Sequence, residues 1–176
     1  MNYKVVDNFL EEDEFKYLQN LIVSNDGNHK DFPWKITTDV ASETNNKDYN
    51  LEIEKQLWNW YAIHPIYNTL PESPYFDDVL NIFRDKWSVK SLIRIKINFY
   101  PYTHEIKEHA KHQDYDFSHH GAVFSLNTCD GFTRMSNGDK VDSVANRIVF
   151  FDGSEYHNSS TTSNVKGRYN INFNYF

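Results

Sequence analysis

Five of the eight histidines fall between His104 and His120, and a sixth, His157, lies just past the apolar run that ends near Asp152. Within the cluster, His112-Gln113-Asp114 sets an imidazole and a carboxylate two residues apart. On extended backbone, side chains at that spacing point to one face, so the pair can grip a single metal ion. A third ligand must come from another strand. His157, about 45 residues on, is the candidate, because the separation leaves room for intervening hairpins. Two histidines and one carboxylate on one face of an octahedral ion leave three positions open, an arrangement suited to non-haem iron(II).

An H-x-D triplet is not specific, and the chain holds a second copy, His29-Lys30-Asp31. That copy is set aside because it lies in an aperiodic polar stretch rather than beside a strand. Taken alone, His112 and Asp114 read equally well as a solvated loop pair, and His157 reads better as a partly buried, hydrogen-bonded histidine than as a ligand. Arg168 shifts the balance. It opens the last alternating segment on its polar side, and a guanidinium fixed on an inner sheet face needs an anion, for which a bidentate carboxylate is the natural partner. No acidic residue follows Glu155. The partner is then either a distant Asp or Glu, or a diacid cosubstrate that also reaches the metal.

Strands are needed to hold these residues, and the second half of the chain supplies them. In Leu92 to Tyr100, Ile93, Ile95, Ile97 and Phe99 alternate with Arg94, Lys96, Asn98 and Tyr100, which predicts a strand with one buried face. Arg168 to Phe176 alternates in the same way. Ala122–Asn127, Phe132–Met135, Lys140–Val144 and Arg147–Phe151 are short extended candidates, separated by the turn dipeptides Asp130-Gly131, Asn137-Gly138 and Asp152-Gly153. The first half reads differently. Phe15, Leu18, Leu21 and Ile22 recur at helical spacing behind an acidic first turn, with Asp7 or Asn8 as the cap. Further helices are expected from about Glu52 to Tyr61 and from Pro74 to about Trp87. Residues 24–50 read as a surface loop with at most one short strand. Helices first and short antiparallel strands afterwards predict an α+β domain whose core is a sandwich or open barrel.

The 176 residues suit one domain, and 16% aromatic content is too rich for a disordered chain. No run approaches eighteen apolar residues and Met1 to Phe9 lacks a signal pattern, so the expected address is cytoplasmic and no membrane partner is expected. The single cysteine, Cys129, excludes an internal disulfide and any cysteine-based zinc cluster. A net charge of −7 disfavours a phosphate backbone as a bulk partner.

Together these residues resemble the Fe(II)/2-oxoglutarate-dependent dioxygenases, and among them the prolyl-4-hydroxylase-like branch, including its small phage versions. The likeness runs through most of the C-terminal half. Asn98-Phe99-Tyr100-Pro101 followed by His112-Gln113-Asp114 is similar to the branch's strand and H-x-D turn. Phe124-Ser125-Leu126-Asn127 and Asp130-Gly131-Phe132 are similar to its next strand and hairpin. Arg147 to Asp152 with His157 resembles the strand that delivers the distal histidine, and Gly167-Arg168-Tyr169-Asn170-Ile171 resembles the closing strand. Val6-Asp7-Asn8-Phe9-Leu10 is similar to the start of such proteins.

The resemblance implies a single domain over residues 1–176, a double-stranded β-helix or distorted jelly roll at about 91–176 supported by helices at about 1–90. It implies Fe(II) on His112, Asp114 and His157, and 2-oxoglutarate with its distal carboxylate on Arg168. Where relatives often place a tyrosine for that carboxylate this chain has Ser125, leaving Tyr100 as the candidate hydroxyl. The implied reaction hydroxylates a C–H bond and converts 2-oxoglutarate to succinate and CO2, with ascorbate as a reductant. Retention of Asp114 favours hydroxylation over halogenation. The implied substrate is a peptide or protein side chain, a prolyl residue among them, or a small metabolite. Two other readings stay open: a non-enzymatic jelly-roll binding module, and a nucleic-acid demethylase of the same superfamily.

Overall fold

The computed structural model describes residues 3–23, 32–38, 40 and 56–176. Two helices, α1 (Glu12–Ile22) and α2 (Phe76–Phe83), cover one side of a large antiparallel sheet. Its strands are β1 (Tyr3–Val6), β2 (Lys35–Thr37), β3 (Tyr61–Asn68), β4 (Leu70–Pro71), β5 (Leu92–Pro101), β6 (His120–Ser125), β9 (Arg147–Asp152) and β11 (Gly167–Tyr175). They run in the order β1-β9-β6-β11-β5-β3-β2, with β4 attached to β3. A second sheet of β7 (Phe132–Arg134), β8 (Lys140–Asp142) and β10 (Asn158–Ser159), ordered β10-β7-β8, faces it and completes a jelly roll.

The alternation in β5 and β11 sets the two sides of the large sheet. Ile95, Ile97, Ile171 and Phe173 pack against Leu18 and Ile22 of α1 and Val79 and Phe83 of α2. Each such side chain, fully buried, contributes about 1.5–3 kcal/mol. The polar side is interior as well, as the reading of Arg168 on an inner sheet face implies. Arg94, Lys96, Asn98 and Tyr100 of β5, and Arg168, Asn170, Asn172 and Asn174 of β11, point between the two sheets, and all nine residues of β11 are buried. Beside them a smaller apolar cluster, Val123, Val149 and Phe151 against Met135 and Val141, closes the roll.

The first half departs from its predicted helical character. The part of the expected 52–61 helix that lies within the described residues is a turn, and Tyr61 already begins β3. Residues 61–68 are rich in aromatic and β-branched types suited to a pleated surface. Pro65, which cannot donate to a ladder, sits where the β3–β5 register shifts. The helical support expected at 1–90 is therefore joined by β1, β2, β3 and β4, which extend the large sheet at both edges. The helix beginning near Pro74 starts at Phe76 and ends at Phe83, and Trp87 instead packs on Phe83, Phe150 and Phe173. Neither expected cap serves α1. Asp7 makes a two-pronged pair with Arg147 at 2.6 and 3.0 Å, Asn8 turns the chain in the left-handed region at φ 50°, and Glu14 accepts from the Glu11 N–H. No helix among the described residues is long and apolar enough to cross a membrane.

Candidate metal centre

Backbone pairing brings His112 to His157. Each donates its N–H to the other's carbonyl at 2.9 Å, and the imidazole centroids stand 4.7 Å apart. His112 Nδ1 lies 3.3 Å from the Ala110 carbonyl and His157 Nδ1 lies 3.0 Å from the Glu155 carbonyl. A carbonyl only accepts, so each Nδ1 carries the proton and each Nε2 keeps its lone pair for a metal. Asp114 is fixed by its N–H to the Gly153 carbonyl at 3.2 Å, and its Oδ2 is 3.8 Å from His157 Nε2. The ligand atoms of His112, Asp114 and His157 all lie within 4.8 Å of one another. Gln113, between the first two, turns outward and donates to the Ser154 carbonyl.

The carboxylate is held from behind. Arg94 donates to Asp114 Oδ1 at 2.6 Å, and Asn174 and Asn172 donate to Oδ2 at 2.8 and 3.3 Å. Burial would raise the Asp114 pKa, but Arg94 and the neighbouring imidazoles outweigh it and hold the group below the ordinary carboxylate range. Burial, then the facing His157, push His112 down to about 3, so its imidazole is neutral near pH 7. Two nitrogens and one charged oxygen are a donor set suited to Fe(II) or Mn(II).

Arg168 is 1% exposed. It donates to Thr133 Oγ1 at 2.8 Å and the Ser160 carbonyl at 3.3 Å, its Nε has no partner, and it forms no ion pair among the described residues. Its guanidinium lies 5.5 Å from the Tyr100 ring. The distant Asp or Glu weighed from the sequence is absent from its described surroundings. A Cβ on Gly131 would stand 2.8 Å from Arg168 Cδ and 2.7 Å from the Thr161 carbonyl, so only glycine lets the hairpin pass this close.

Tyr100 and Thr133, which touch Arg168, line one small cavity together with His112, Asp114 and His157. Tyr100 stacks on Tyr61 at 5.6 Å and hydrogen-bonds with the Ser159 side chain, and burial raises its pKa so that the hydroxyl stays protonated. Ser125 stands apart: it is buried off this cavity and accepts from Ser143 Oγ at 3.3 Å. Of the other clustered histidines, His104 and His120 are exposed. His119 braces Asn174 at 3.2 Å, and His109 packs 5.2 Å from Tyr100 with burial, then Arg168, lowering its pKa to about 3. The triplet His29-Lys30-Asp31 lies outside the described residues.

Solved structures of known proteins share this architecture. A prolyl-4-hydroxylase from Pseudomonas putida superposes with a TM-score of 0.65 at 16% identity, over 99% of this chain and 92% of that one. A Burkholderia pseudomallei oxidoreductase of the 2OG-Fe(II) oxygenase family gives 0.67 at 12%, over 99% and 84%. A Trichoplax adhaerens prolyl hydroxylase, in complex with a hypoxia inducible factor oxygen degradation domain peptide fragment, gives 0.60 at 13%, over 99% and 83%. The fold is that of the 2-oxoglutarate oxygenases. No protein-family model and no curated protein matches the sequence. At these identities the side chains must be argued from their own geometry: the triad lines the cavity with Tyr100 and Thr133, and Arg168 lies against those two.

The sequence reading missed Arg94, Lys96, Asn172 and Asn174. A signal was present. Asparagine is disfavoured in strands, yet it occupies positions 170, 172 and 174 of one alternating segment, which marks an interior polar face. Burial, then Arg94, bring the Lys96 ammonium down to about 7, with Asp114 opposing the shift.

Proposed function

We propose that the protein is an Fe(II)- and 2-oxoglutarate-dependent dioxygenase that hydroxylates a C–H bond. The observation that carries this reading is Arg168, a buried guanidinium without a counter-ion among the described residues, set against Tyr100 and Thr133, which line the same cavity as the His112, Asp114, His157 triad. His112 and His157 would hold Fe(II) through Nε2 and Asp114 through Oδ2. Arg168 would pair with the distal carboxylate of 2-oxoglutarate, a charge-assisted contact for which the guanidinium is already desolvated in the fold. The Tyr100 hydroxyl is the second donor at that carboxylate, and Ser125, off the cavity, is withdrawn from the role. When bound, the iron supplies dioxygen activation coupled to decarboxylation of 2-oxoglutarate to succinate and CO2.

The protein's own groups do the rest. Arg94, Asn172 and Asn174 orient Asp114, and the two histidine Nδ1 protons lock the rings. A prolyl residue in a peptide is the first substrate to screen, since two of the similar folds are prolyl hydroxylases. Ascorbate would serve as a reductant, and an intracellular, phage-encoded setting fits the sequence resemblance. Anaerobic addition of Fe(II) and 2-oxoglutarate, followed by visible spectroscopy, tests the reading. A charge-transfer band that disappears in His112→Ala, Asp114→Ala and His157→Ala is expected, and its absence from the unaltered protein would return the jelly-roll binding module to first place.

A further inference from the structure

The cavity holds more positive charge than the proposed reaction uses. A divalent metal, Asp114, Arg168 and a dianionic 2-oxoglutarate sum to neutrality. Arg94 and Lys96 are left over. Arg94 shares Asp114 with the metal, and its buried Nε has no partner. Lys96 forms no ion pair among the described residues. It lines the same cavity as the triad, acts electrostatically on both His112 and Asp114, and rests its ammonium 5.5 Å from the Tyr61 ring centroid. A buried ammonium without an anion sheds its proton more readily, and an anionic ligand placed beside it would hold it charged.

Position decides which ligand. Along β5 the inward side chains run Tyr100, Asn98, Lys96, Arg94, and the paired strand β11 presents Arg168 opposite Tyr100 and Asn172 opposite Lys96. Arg168 and Tyr100 therefore mark one end of the slot, and Asn172, which donates to Asp114, marks the level of the metal. A cosubstrate stretched from Arg168 to the metal has one charge engaged by Arg168 and the other by the metal, which leaves Lys96, level with the metal, without a partner of its own. We propose that the molecule oxidised at this site is an anion, a carboxylate- or phosphate-bearing substrate whose charged group docks on Lys96 beside the metal. This rests on the dioxygenase reading and adds the substrate's chemical class. A peptide segment without an acidic group would leave Lys96 unpartnered, whereas a carboxylate on the substrate, free or beside the prolyl residue, would fix the reacting carbon a short distance from the metal.

The test uses full-length protein loaded with Mn(II) and 2-oxoglutarate under nitrogen. Paramagnetic relaxation reports the approach of two matched probes, N-acetylproline and its neutral amide, and of inorganic phosphate. In the unaltered protein an anionic probe should bind at least about tenfold more tightly than the amide. Lys96→Met should abolish that preference and Lys96→Arg should retain it. 2-Oxoglutarate affinity should be nearly unchanged in both variants and fall sharply in Arg168→Ala. Preference for N-acetylproline identifies a carboxylate substrate, and preference for phosphate a phosphorylated one. Equal binding of anion and amide, no anion binding, or an anion preference that survives Lys96→Met overturns the proposal. So does a loss of 2-oxoglutarate affinity in Lys96→Met as large as in Arg168→Ala, because Lys96 would then belong to the cosubstrate. Failure of the unaltered protein to bind 2-oxoglutarate at all instead removes the dioxygenase reading, so the two failures are distinct.

Discussion

Arg168 is where a single side chain says most about chemistry. Removing one side of a desolvated, charge-assisted pair costs roughly 2–5 kcal/mol, about thirty- to several-thousand-fold in binding. Arg168→Ala should weaken 2-oxoglutarate binding by such a factor, measured by titration under nitrogen, while Mn(II) still binds. Arg168→Lys should recover part of the loss, since charge survives but the fork does not. The exposed Lys166 is the control: a larger effect in Lys166→Ala would move the cosubstrate pocket. The functional residues that could be read in the sequence were those whose type is unusual for its setting, such as an arginine on a strand with no acid after it, or an H-x-D beside a strand. Arg94 and Asn174 escaped because their role is to hold Asp114, a contact made across about 20 and 60 residues that no local spacing reveals.

At the level of elements, Asn146 ties the β1–α1 connection to the start of β9. Its Oδ1 accepts from the Leu10 N–H at 2.9 Å, its Nδ2 donates to the Leu10 carbonyl at 2.8 Å, and its own backbone sits at φ 62°. Asn146→Ala loses both bonds and puts alanine in the left-handed region, which should cost about 2–4 kcal/mol in chemical denaturation. Asn146→Gly relieves the backbone but not the lost bonds, so it should fall between the two. Glu108 makes a different tie, joining the 102–114 stretch to β7 through two 2.6 Å bonds from Arg134. Those bonds, against some desolvation, hold its carboxyl at about 2 instead of 4.5. A depressed folded pKa gives stability that is complete above the unfolded value and lost as pH falls through the folded one. Thermal midpoints should therefore drop between about pH 4.5 and 2, and Glu108→Gln should remove part of that slope; an unchanged slope would show that the pair contributes nothing. The strands of the second half were legible because alternation and turn dipeptides coincide there. Strand β3 was not, since its proline and the preceding polar run mimic a helix and its end, and its partner β5 lies about 30 residues away.

Over the whole molecule, metal and fold are linked, because the ligand set is assembled from chain about 45 residues apart and should not persist in the unfolded state. Ligand at a hundred times its dissociation constant adds about 2.7 kcal/mol. For a chain of this size that is about 5–10 °C in melting temperature. Mn(II) should raise the melting temperature by that order, 2-oxoglutarate should add to it only when Mn(II) is present, and Asp114→Ala should show neither shift. Metal-independent stabilisation by 2-oxoglutarate would place its binding elsewhere.

The two walls of the site differ in how they are secured. β11, which carries Arg168, Asn172 and Asn174, is paired along its length with β5 on one side and for six residues with β6 on the other. The facing wall, which carries all three candidate ligands, is joined across residues 102–114 and 153–162 by scattered backbone bonds, those of His112 with His157, His109 with Ser159 and Asp114 with Gly153 among them, and by isolated bridges in place of a long ladder. Amide protons of β11 should therefore exchange with deuterium only when the whole molecule opens, whereas those of His112 and His157 should exchange through small local openings. Metal should slow the second set and leave the first untouched. The protein would then bind its ion by quieting one wall against another held along a long ladder, and breathing of the 102–114 stretch, not of the sheet, would set how fast the ion enters and leaves.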